Sequence, residues 1–145
     1  MIAVKQINPE DTYEIRNEVL RPHQTIEACK YEHDHHHQSF HLGAFVNNSI
    51  VSVASFYNEC HPLIDGHVQY RLRGMATLKK YRNNNAGSRL INYAEALMNE
   101  KNVDSWWCNA RVSVCDYYEK LGLLPQGEIF EIYPIGPHKL MYKVF

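Results

Sequence analysis

The stretch RGMATLKKYRNNNAGSRLI, residues 73–91, carries the strongest structural signal in the sequence. Its first residues have strand character, Gly74 interrupts that run, and the small residues Ala86, Gly87 and Ser88 open an amphipathic run. The pattern predicts a strand, a short loop and then a helix. A helix start leaves about four backbone N–H groups without intrahelical partners and carries partial positive charge, so it can bind an anion such as a phosphate. Asn and Ser also cap ordinary helices, and on this stretch alone that alternative stays open.

The hydrophobic pattern on both sides of this stretch alternates between strand and helix signals along a chain of 145 residues. That length fits a core that buries roughly 70% of the surface of the unfolded chain, and we predict a single domain, residues 1–145. The pair Asn47-Asn48 predicts a two-residue hairpin turn, because Asn tolerates positive φ. Strands are predicted at residues 2–7, 39–46, 49–57, 66–78, 103–110, 127–133 and 138–145, and helices at residues 8–22, 24–31, 86–101 and 114–122. The order of elements predicts a mixed α/β domain.

Charge and cysteine content narrow the class of partner. Lys and Arg number 15 against 16 for Asp and Glu, so the chain lacks the strong field that nucleic acid or an anionic membrane would require. A small soluble ligand is favoured instead. No apolar run approaches the ~20 residues of a membrane span, and the first residues lack the features of a signal peptide. The four cysteines show no C-x-x-C spacing, and we predict reduced thiols in the cytoplasm.

The run EHDHHHQSFH, residues 32–41, is rich in histidine. Imidazole rings at this density can chelate zinc or nickel, but a bound site also needs fixed geometry and supporting hydrogen bonds. A solvated loop is the alternative that composition alone favours. No metal is assigned.

Residues 73–91 do not match the common nucleotide-binding motifs. Neither G-x-x-x-x-G-K-[ST] nor G-x-G-x-x-G after the first strand occurs, which argues against nucleotide hydrolysis and hydride transfer. The stretch instead resembles the pyrophosphate-binding motif of the GNAT superfamily of acyl-CoA-dependent N-acetyltransferases, Arg/Gln-x-x-Gly-x-Gly/Ala, on Arg82, Asn85 and Gly87. Asn85 stands where the family prefers glycine, and Asn is the other residue best able to adopt the left-handed conformation of such a loop.

A second match lies in NARVSVCDYYEKLGL, residues 109–123, which is similar to the family's Asn-bearing strand followed by Tyr-Glu-Lys-Leu-Gly. Together with the order of elements, the resemblance covers nearly the whole chain. It implies a mixed, mostly antiparallel central sheet flanked by about four helices. It also implies an enzyme that moves the acetyl group of acetyl-CoA to an amine.

Under this resemblance, the loop before the helix at residues 86–101 binds the cosubstrate acetyl-CoA. Its pyrophosphate would lie against backbone amides and the positive helix end, at residues Arg82, Asn83, Asn84, Asn85, Ala86, Gly87 and Ser88. Backbone groups of Met75, Ala76 and Thr77 would bind the pantetheine arm, and an amide there would polarise the thioester carbonyl. Asn109, at the end of the next strand, would hydrogen-bond the same arm.

The family pattern makes Tyr118 the general acid, because it precedes Glu-Lys-Leu-Gly at the start of the short helix. A phenol with an ordinary pKa of about 10 can donate a proton to the leaving thiolate. The alternative is an aromatic packing residue, like its neighbour Tyr117. The group that takes the proton of the attacking amine stays open among His138, Glu27 and a water chain.

Alternating polar residues in the strand at residues 66–78 are the best clue to the acceptor. One face carries His67, Gln69, Arg71 and Arg73. An arginine on a central strand must find a carboxylate, a phosphate or a water-filled cleft. We predict that Arg73, nearest Gly74, binds the carboxylate of an acceptor such as an amino acid, with Arg21 as a second candidate from a region that builds acceptor sites in the family. The alternative is a structural ion pair with a nearby acid, Glu27, Glu32 or Asp34.

The tail IYPIGPHKLMYKVF, residues 132–145, places His138 after a turn at Gly136-Pro137 and at the start of the last strand. It resembles an Ile-Gly-Pro-His tail in some bacterial members of the superfamily. A role in substrate binding and a role in the turn alone both stay open.

The predicted function is therefore transfer of an acetyl group from acetyl-CoA to the amine of a small molecule, with an amino acid or related zwitterion as acceptor. Acetylation of a protein or polyamine amine is one alternative. A non-catalytic, CoA-binding regulatory module is the other, and Asn85 is the feature that favours it. No nucleic-acid or membrane partner is predicted, and a homodimer is left open.

Overall fold

The computed structural model describes residues Met1–Phe145 and contains one seven-stranded sheet. Its strands are β1 (Ala3–Ile7), β2 (Phe40–Val46), β3 (Ser49–Asn58), β4 (Gln69–Thr77), β5 (Ser105–Arg111), β6 (Leu124–Ile132) and β7 (Gly136–Val144). Their order across the sheet is β1-β2-β3-β4-β5-β7-β6. The pairs β1–β2, β2–β3, β5–β7 and β6–β7 are antiparallel, whereas β4 and β5 are parallel. The prediction of a mixed, mostly antiparallel sheet is confirmed.

Three α-helices accompany the sheet: α1 (Tyr13–Ile15), α2 (Ala86–Glu100) and α3 (Cys115–Lys120). A 3-10 turn at Pro9–Thr12 precedes α1, and a π-helical segment at Arg16–Leu20 follows it, so the helix predicted at residues 8–22 is present in three parts. The short helix predicted at residues 24–31 is a single 3-10 turn, Ile26–Cys29. Further 3-10 turns lie at Lys79–Tyr81 and Val112–Val114. None of the helices has the length and apolar character needed to cross a membrane.

The chain forms two compact units. The first unit comprises residues 1–57 and 72–101, and the second comprises residues 58–71 and 102–145. Strand β4 contributes its first three residues to the second unit and the others to the first. A single domain over residues 1–145 stays a prediction.

The first unit contains the β2–β3 hairpin and helix α2. Asn47 and Asn48 connect the hairpin at φ of 50° and 66°, the positive values that a two-residue turn requires. The buried face of α2 is formed by Ala86, Leu90, Ile91, Ala94 and Met98. The apolar spacing in the sequence predicts a buried face of Leu90, Ile91, Ala94, Leu97 and Met98, and all of these except the half-buried Leu97 are buried. A separate apolar cluster packs α1 against β3 and β4, and it contains Ile15, Val53 and Ala76.

The second unit is organised around β5, which pairs with the first residues of β4 and, along its own full length, with residues 138–144 of β7. The buried Gln69 side chain donates to the carbonyls of Ile64 and Gly66 at 2.7 and 3.0 Å and accepts from the His61 amide at 2.8 Å. These bonds fix the loop that leads into β4. Behind the loop, Ile64, Trp107 and Leu140 form an apolar cluster.

The strand predicted at residues 66–78 begins only at Gln69, so His67 does not belong to the polar face assigned to it. The amides of His67 and Val68 both donate to Asp104 Oδ2 at 2.9 Å. The Asp104 carboxylate therefore accepts the two amide hydrogen bonds that the backbone of a neighbouring strand would accept if the strand began earlier. His67 lies exposed in the loop before β4. The polar face of β4 therefore consists of Gln69, Arg71 and Arg73.

Candidate active site

The loop between β4 and α2 places a helix start without a side-chain cap in the first unit. Asn83 and Asn85 have left-handed φ angles of 72° and 62°, and Asn85 occupies the N-cap position. The Asn85 side chain makes no cap hydrogen bond, and the first intrahelical bond runs from the Arg89 amide to the Asn85 carbonyl at 3.0 Å. The ordinary cap considered above is therefore not formed. The amides of residues 86–88 precede this bond, and no side chain of the protein accepts a hydrogen bond from them.

Asn85 has a left-handed backbone conformation at the position where the motif resemblance expects glycine. Its φ of 62° and ψ of 18° lie in the left-handed region, which Asn tolerates better than other residues with a side chain. An asparagine at this position therefore fits the left-handed turn of the loop. The other members of the predicted loop, Arg82, Asn83 and Asn84, are exposed, and Ser88 is half-buried.

The segment of β4 predicted to bind the pantetheine arm is partly engaged within the first unit. Ser52 Oγ donates to the Ala76 carbonyl at 3.2 Å and lies 2.7 Å from the Thr77 hydroxyl. Arg82 Nε contacts the Thr77 carbonyl at 3.4 Å. Met75 is half-buried just before these residues. The Ala76 carbonyl and the Thr77 hydroxyl therefore already have protein partners.

Gly74 is required by a close approach of two side chains. Its φ is +64°, and a Cβ at this position would lie 3.0 Å from Arg16 Nε and 3.1 Å from a Tyr31 ring carbon. Both distances are shorter than an ordinary van der Waals contact, so a larger residue would displace the arginine and the tyrosine. Gly74 therefore leaves the space that both side chains occupy.

Three arginines surround the ring of Tyr31, and we refer to these four residues as the Tyr31 cluster. The guanidinium carbons of Arg16, Arg73 and Arg21 lie 4.1, 4.4 and 5.8 Å from the ring centroid, within the range of cation–π attraction. The Arg21 and Arg73 side chains make no ion pair or hydrogen bond within the protein. The two arginines predicted to bind an acceptor therefore meet at one aromatic ring.

Arg16 is fully buried and paired with Asp34. Its two Nη atoms contact the two carboxylate oxygens at 2.8 and 3.1 Å, and they also donate to the Cys29 carbonyl, Ser55 Oγ and the Tyr57 hydroxyl. Arg16 Nε is buried without an acceptor. Burial by itself would raise the pKa of Asp34, but the hydrogen bonds from Arg16 and Tyr57 and the charge of Arg16 hold it below its ordinary value. The carboxylate is therefore ionised and balances the buried guanidinium.

His41 and Ser55 extend this buried network. His41 Nε2 lies 2.9 Å from the Asp34 carbonyl and Nδ1 lies 2.7 Å from Ser55 Oγ. A carbonyl only accepts, so Nε2 carries the proton and the neutral ring accepts from the Ser55 hydroxyl at Nδ1. Burial lowers the pKa of His41, which keeps the ring neutral. Ser55 has 0% exposure, so this serine and histidine form a structural pair that a substrate cannot reach.

The ion pairs differ from those proposed for the β4 arginines. Arg71 pairs with Glu59 at 3.1 Å and lies 5.0 Å from the Trp107 ring. Glu27 instead pairs with Lys30 on the surface at 2.7 Å, and Asp34 pairs with Arg16. The assignment of Glu27, Glu32 or Asp34 to a β4 arginine is therefore wrong, because turns in the chain place these acids beside other cations.

Tyr118 and Asn109 belong to the second unit. Tyr118 lies in α3 with 8% exposure, and the Tyr117 ring meets it edge-on at 5.3 Å between centroids. Burial raises the pKa of Tyr118 well above its usual value, so the phenol keeps its proton at neutral pH. Asn109 is half-buried in β5 and stands opposite Leu140 of β7. The protonation state is the one that a general acid requires.

His138 is buried at the start of β7. Its Nδ1 lies 2.8 Å from the Gly136 carbonyl, and its ring centroid lies 6.1 Å from that of Phe130. Because the carbonyl only accepts, Nδ1 donates and the ring is fixed against the turn that precedes it. This contact favours the role in the turn over the role in substrate binding.

The histidine-rich run divides into two parts. His33, His35, His36 and His37 are exposed, whereas His41 belongs to the buried network. His35 Nε2 lies 2.7 Å from a Glu10 carboxylate oxygen, and the rings of His36 and His37 stack at 4.5 Å. No three His, Cys, Asp or Glu side chains lie close enough together to hold a metal ion.

Comparisons with known proteins agree with this arrangement. The model of the acetyltransferase (GNAT) family matches residues 2–123. The uncharacterized N-acetyltransferase YitI of Bacillus subtilis (strain 168) is 53% identical over 143 residues, which are 99% of this chain and 96% of the relative. The chain therefore belongs to the GNAT family, and the predicted class of enzyme, an acyl-CoA-dependent N-acetyltransferase, is confirmed.

Solved structures share the fold at low sequence identity. A putative N-acetyltransferase from Lactobacillus plantarum superposes with a TM-score of 0.80 at 13% identity, covering 99% of this chain and 97% of that one. An aminoglycoside 6'-N-acetyltransferase in complex with coenzyme A gives a TM-score of 0.77 at 12% identity, covering 98% and 96%. These likenesses confirm the predicted fold class.

Proposed function

We propose that the chain transfers the acetyl group of acetyl-CoA to the amine of a small, carboxylate-bearing molecule such as an amino acid. The observation that carries the proposal is the pair of half-buried arginines, Arg21 and Arg73, that meet at Tyr31 without a carboxylate of the protein. A partly desolvated guanidinium favours an anionic partner, and a carboxylate matches its planar fork of donors. A cytoplasmic location stays a prediction, and a homodimer stays open.

Acetyl-CoA would supply the thioester that the amine attacks. The amides of residues 83–88 and the start of α2 would bind its pyrophosphate, with Arg82 beside them, and Asn109 would hydrogen-bond the pantetheine arm. The amine nitrogen loses a proton to water and forms a bond to the carbonyl carbon, and the carbon–sulfur bond breaks. Tyr118 donates its proton to the sulfur and regains one from water. The coenzyme A complex of the aminoglycoside acetyltransferase with the same fold supports coenzyme A as the ligand.

A thiol-release assay with acetyl-CoA and a panel of amines tests this proposal. Amino acids, spermidine, an aminoglycoside and a basic peptide would be compared at equal concentration. Turnover that depends on an amino acid supports it. Turnover only with the peptide or with spermidine favours acetylation of protein or polyamine amines, and binding of acetyl-CoA without turnover favours the regulatory module.

Replacement of Gly87 tests the binding of acetyl-CoA. Gly87 is the second residue of α2 and has no side chain beside the loop amides. We expect Gly87→Val to crowd the phosphate position and to raise the dissociation constant more than tenfold, or ~1.4 kcal/mol, in calorimetric titration with acetyl-CoA. Ala96→Val introduces the same branched side chain at an exposed position of the same helix and should leave affinity unchanged. Equal affinities for the two variants would contradict the assignment.

Replacement of Arg73 tests the acceptor site. Lysine keeps the charge but lacks the two parallel donors that a carboxylate can accept from a guanidinium. We therefore expect Arg73→Lys to raise the KM of the acceptor at least tenfold while that of acetyl-CoA stays within about twofold. A decarboxylated analogue of the preferred acceptor should react equally poorly with both proteins. A rise confined to the KM of acetyl-CoA would instead place Arg73 in the cosubstrate site.

A further inference from the structure

The Tyr31 cluster carries more positive charge than one carboxylate can balance. Resting on the proposed function, we propose that the acceptor is a dianionic amine. Two chemical sources provide this charge, an amine that bears two carboxylates and an amine that bears a phosphate monoester. Both present two negative charges and at least three acceptor oxygens.

Only one of the three arginines in the Tyr31 cluster has an acidic partner. Asp34 balances Arg16 through two contacts at 2.8 and 3.1 Å. Arg21 and Arg73 remain without an acidic partner in the protein. The other nearby acids lie elsewhere, since Glu27 pairs with Lys30 and the exposed Glu32 lies 3.9 Å from His33. The cluster therefore has two uncompensated positive charges.

The backbone holds Arg21 in place, although its side chain has no hydrogen bond. The Arg21 amide donates to the carbonyls of Arg16 and Asn17 at 3.1 and 3.3 Å. Its carbonyl accepts from Asn17 Nδ2 at 2.9 Å and from the Gln24 amide at 3.1 Å. The end of the π-helical segment is thus fixed, and the guanidinium is free to bind a ligand.

Arg73 approaches the same ring from β4. It precedes Gly74, whose missing side chain leaves room for Tyr31 and Arg16. Both Arg73 and Arg21 are half-buried, and their guanidinium carbons lie 4.4 and 5.8 Å from the same ring centroid. A ligand with two anionic groups would give each of these partly desolvated charges a counter-ion.

A single carboxylate would satisfy only one of the two side chains. It can accept two parallel hydrogen bonds from one guanidinium fork, which leaves the second without a counter-ion in a partly desolvated position. A dianion provides an acceptor pair for each fork. The unpartnered second arginine therefore makes the site selective for the number of charges as well as for their sign.

The experiment compares acceptors of different charge in the thiol-release assay. Alanine carries one carboxylate, aspartate and glutamate carry two, phosphoethanolamine carries a phosphate monoester, and spermidine carries no acid. We expect kcat/KM for a dianionic acceptor to exceed that for alanine by at least about tenfold. Arg21→Gln should abolish this preference, so that kcat/KM for the dianionic acceptor no longer exceeds that for alanine in the same variant. Lys5→Gln removes one exposed positive charge from the same unit and should keep the preference.

A binding measurement separates this inference from the proposed function. In calorimetry without acetyl-CoA, succinate or inorganic phosphate should bind at least about tenfold more tightly than acetate, and Arg21→Gln should remove the difference. A dianion preference in binding without turnover of any amine would support the site and overturn the acetyl-transfer proposal. Equal binding of acetate, succinate and phosphate, or equal turnover of alanine and the dianionic amines, would overturn the inference and leave acetyl transfer intact.

Discussion

Asp34→Asn is expected to lower the free energy of unfolding by about 3–5 kcal/mol, a large share of the 5–15 kcal/mol typical of a folded protein. Asparagine has nearly the same shape, but it leaves the charge of Arg16 buried without a carboxylate. Asp34 is 2% exposed and Arg16 is 0% exposed, so water cannot replace the lost partner. Urea denaturation followed by tryptophan fluorescence measures the loss. A decrease below about 1 kcal/mol would show that the pair does not stabilise the fold.

The matched control is Glu27→Gln, which removes the carboxylate of the exposed pair with Lys30 and should leave the urea midpoint unchanged. The pH dependence adds a second measurement. The pKa of Asp34 is lowered in the folded state, so its contribution is present above the unfolded pKa of about 3.9 and is lost as the pH falls through the lower folded value. Asp34→Asn should therefore lose less stability than wild type between pH 5 and 3.

Tyr118→Phe is expected to lower kcat about 10²-fold or more while the affinity for acetyl-CoA stays nearly unchanged. Phenylalanine keeps the ring in its buried position in α3, so the substitution removes the hydroxyl that would donate to the leaving thiolate. Steady-state kinetics with the preferred amine, together with calorimetric titration of acetyl-CoA, separates turnover from binding.

Tyr117→Phe is the matched control, because it removes the hydroxyl of the adjacent ring in the same helix. It should retain turnover within about twofold of wild type. Thermal unfolding of both variants checks that neither is destabilised enough to explain a loss of activity. Equal kcat for Tyr118→Phe and wild type would mean that another group or a water molecule protonates the thiolate.

The sequence predicted elements whose signals are local. Asn47-Asn48 identified the hairpin because the two-residue turn needs positive φ, and the spacing of Leu90, Ile91 and Ala94 identified the buried face of α2. The start of β4 was misplaced because Asp104, far along the chain, binds the two amides before Gln69. Hydrophobic periodicity carries no information about such a contact.

The candidate site was predictable in part. The family motif located the loop before α2, and the polar alternation of β4 located Arg73. Arg16 was missed, although Thr12, Ile15 and Arg16 have the spacing of a buried helix face and a charged residue at such a position signals a buried pair. Its partners Asp34 and Ser55 follow 18 and 39 residues later, beyond what helical spacing can indicate.

The π-helical segment at Arg16–Leu20 has a consequence for how the enzyme could diverge. The Arg21 amide reaches back five residues to the Arg16 carbonyl, so the segment accommodates one residue more than an α-helical turn. Deletion of a single residue between Arg16 and Arg21 would let the Arg21 amide bond the same carbonyl with α-helical spacing, so Arg21 would keep its place beside Tyr31. The segment can therefore lose its extra residue without separating Arg16 from Arg21.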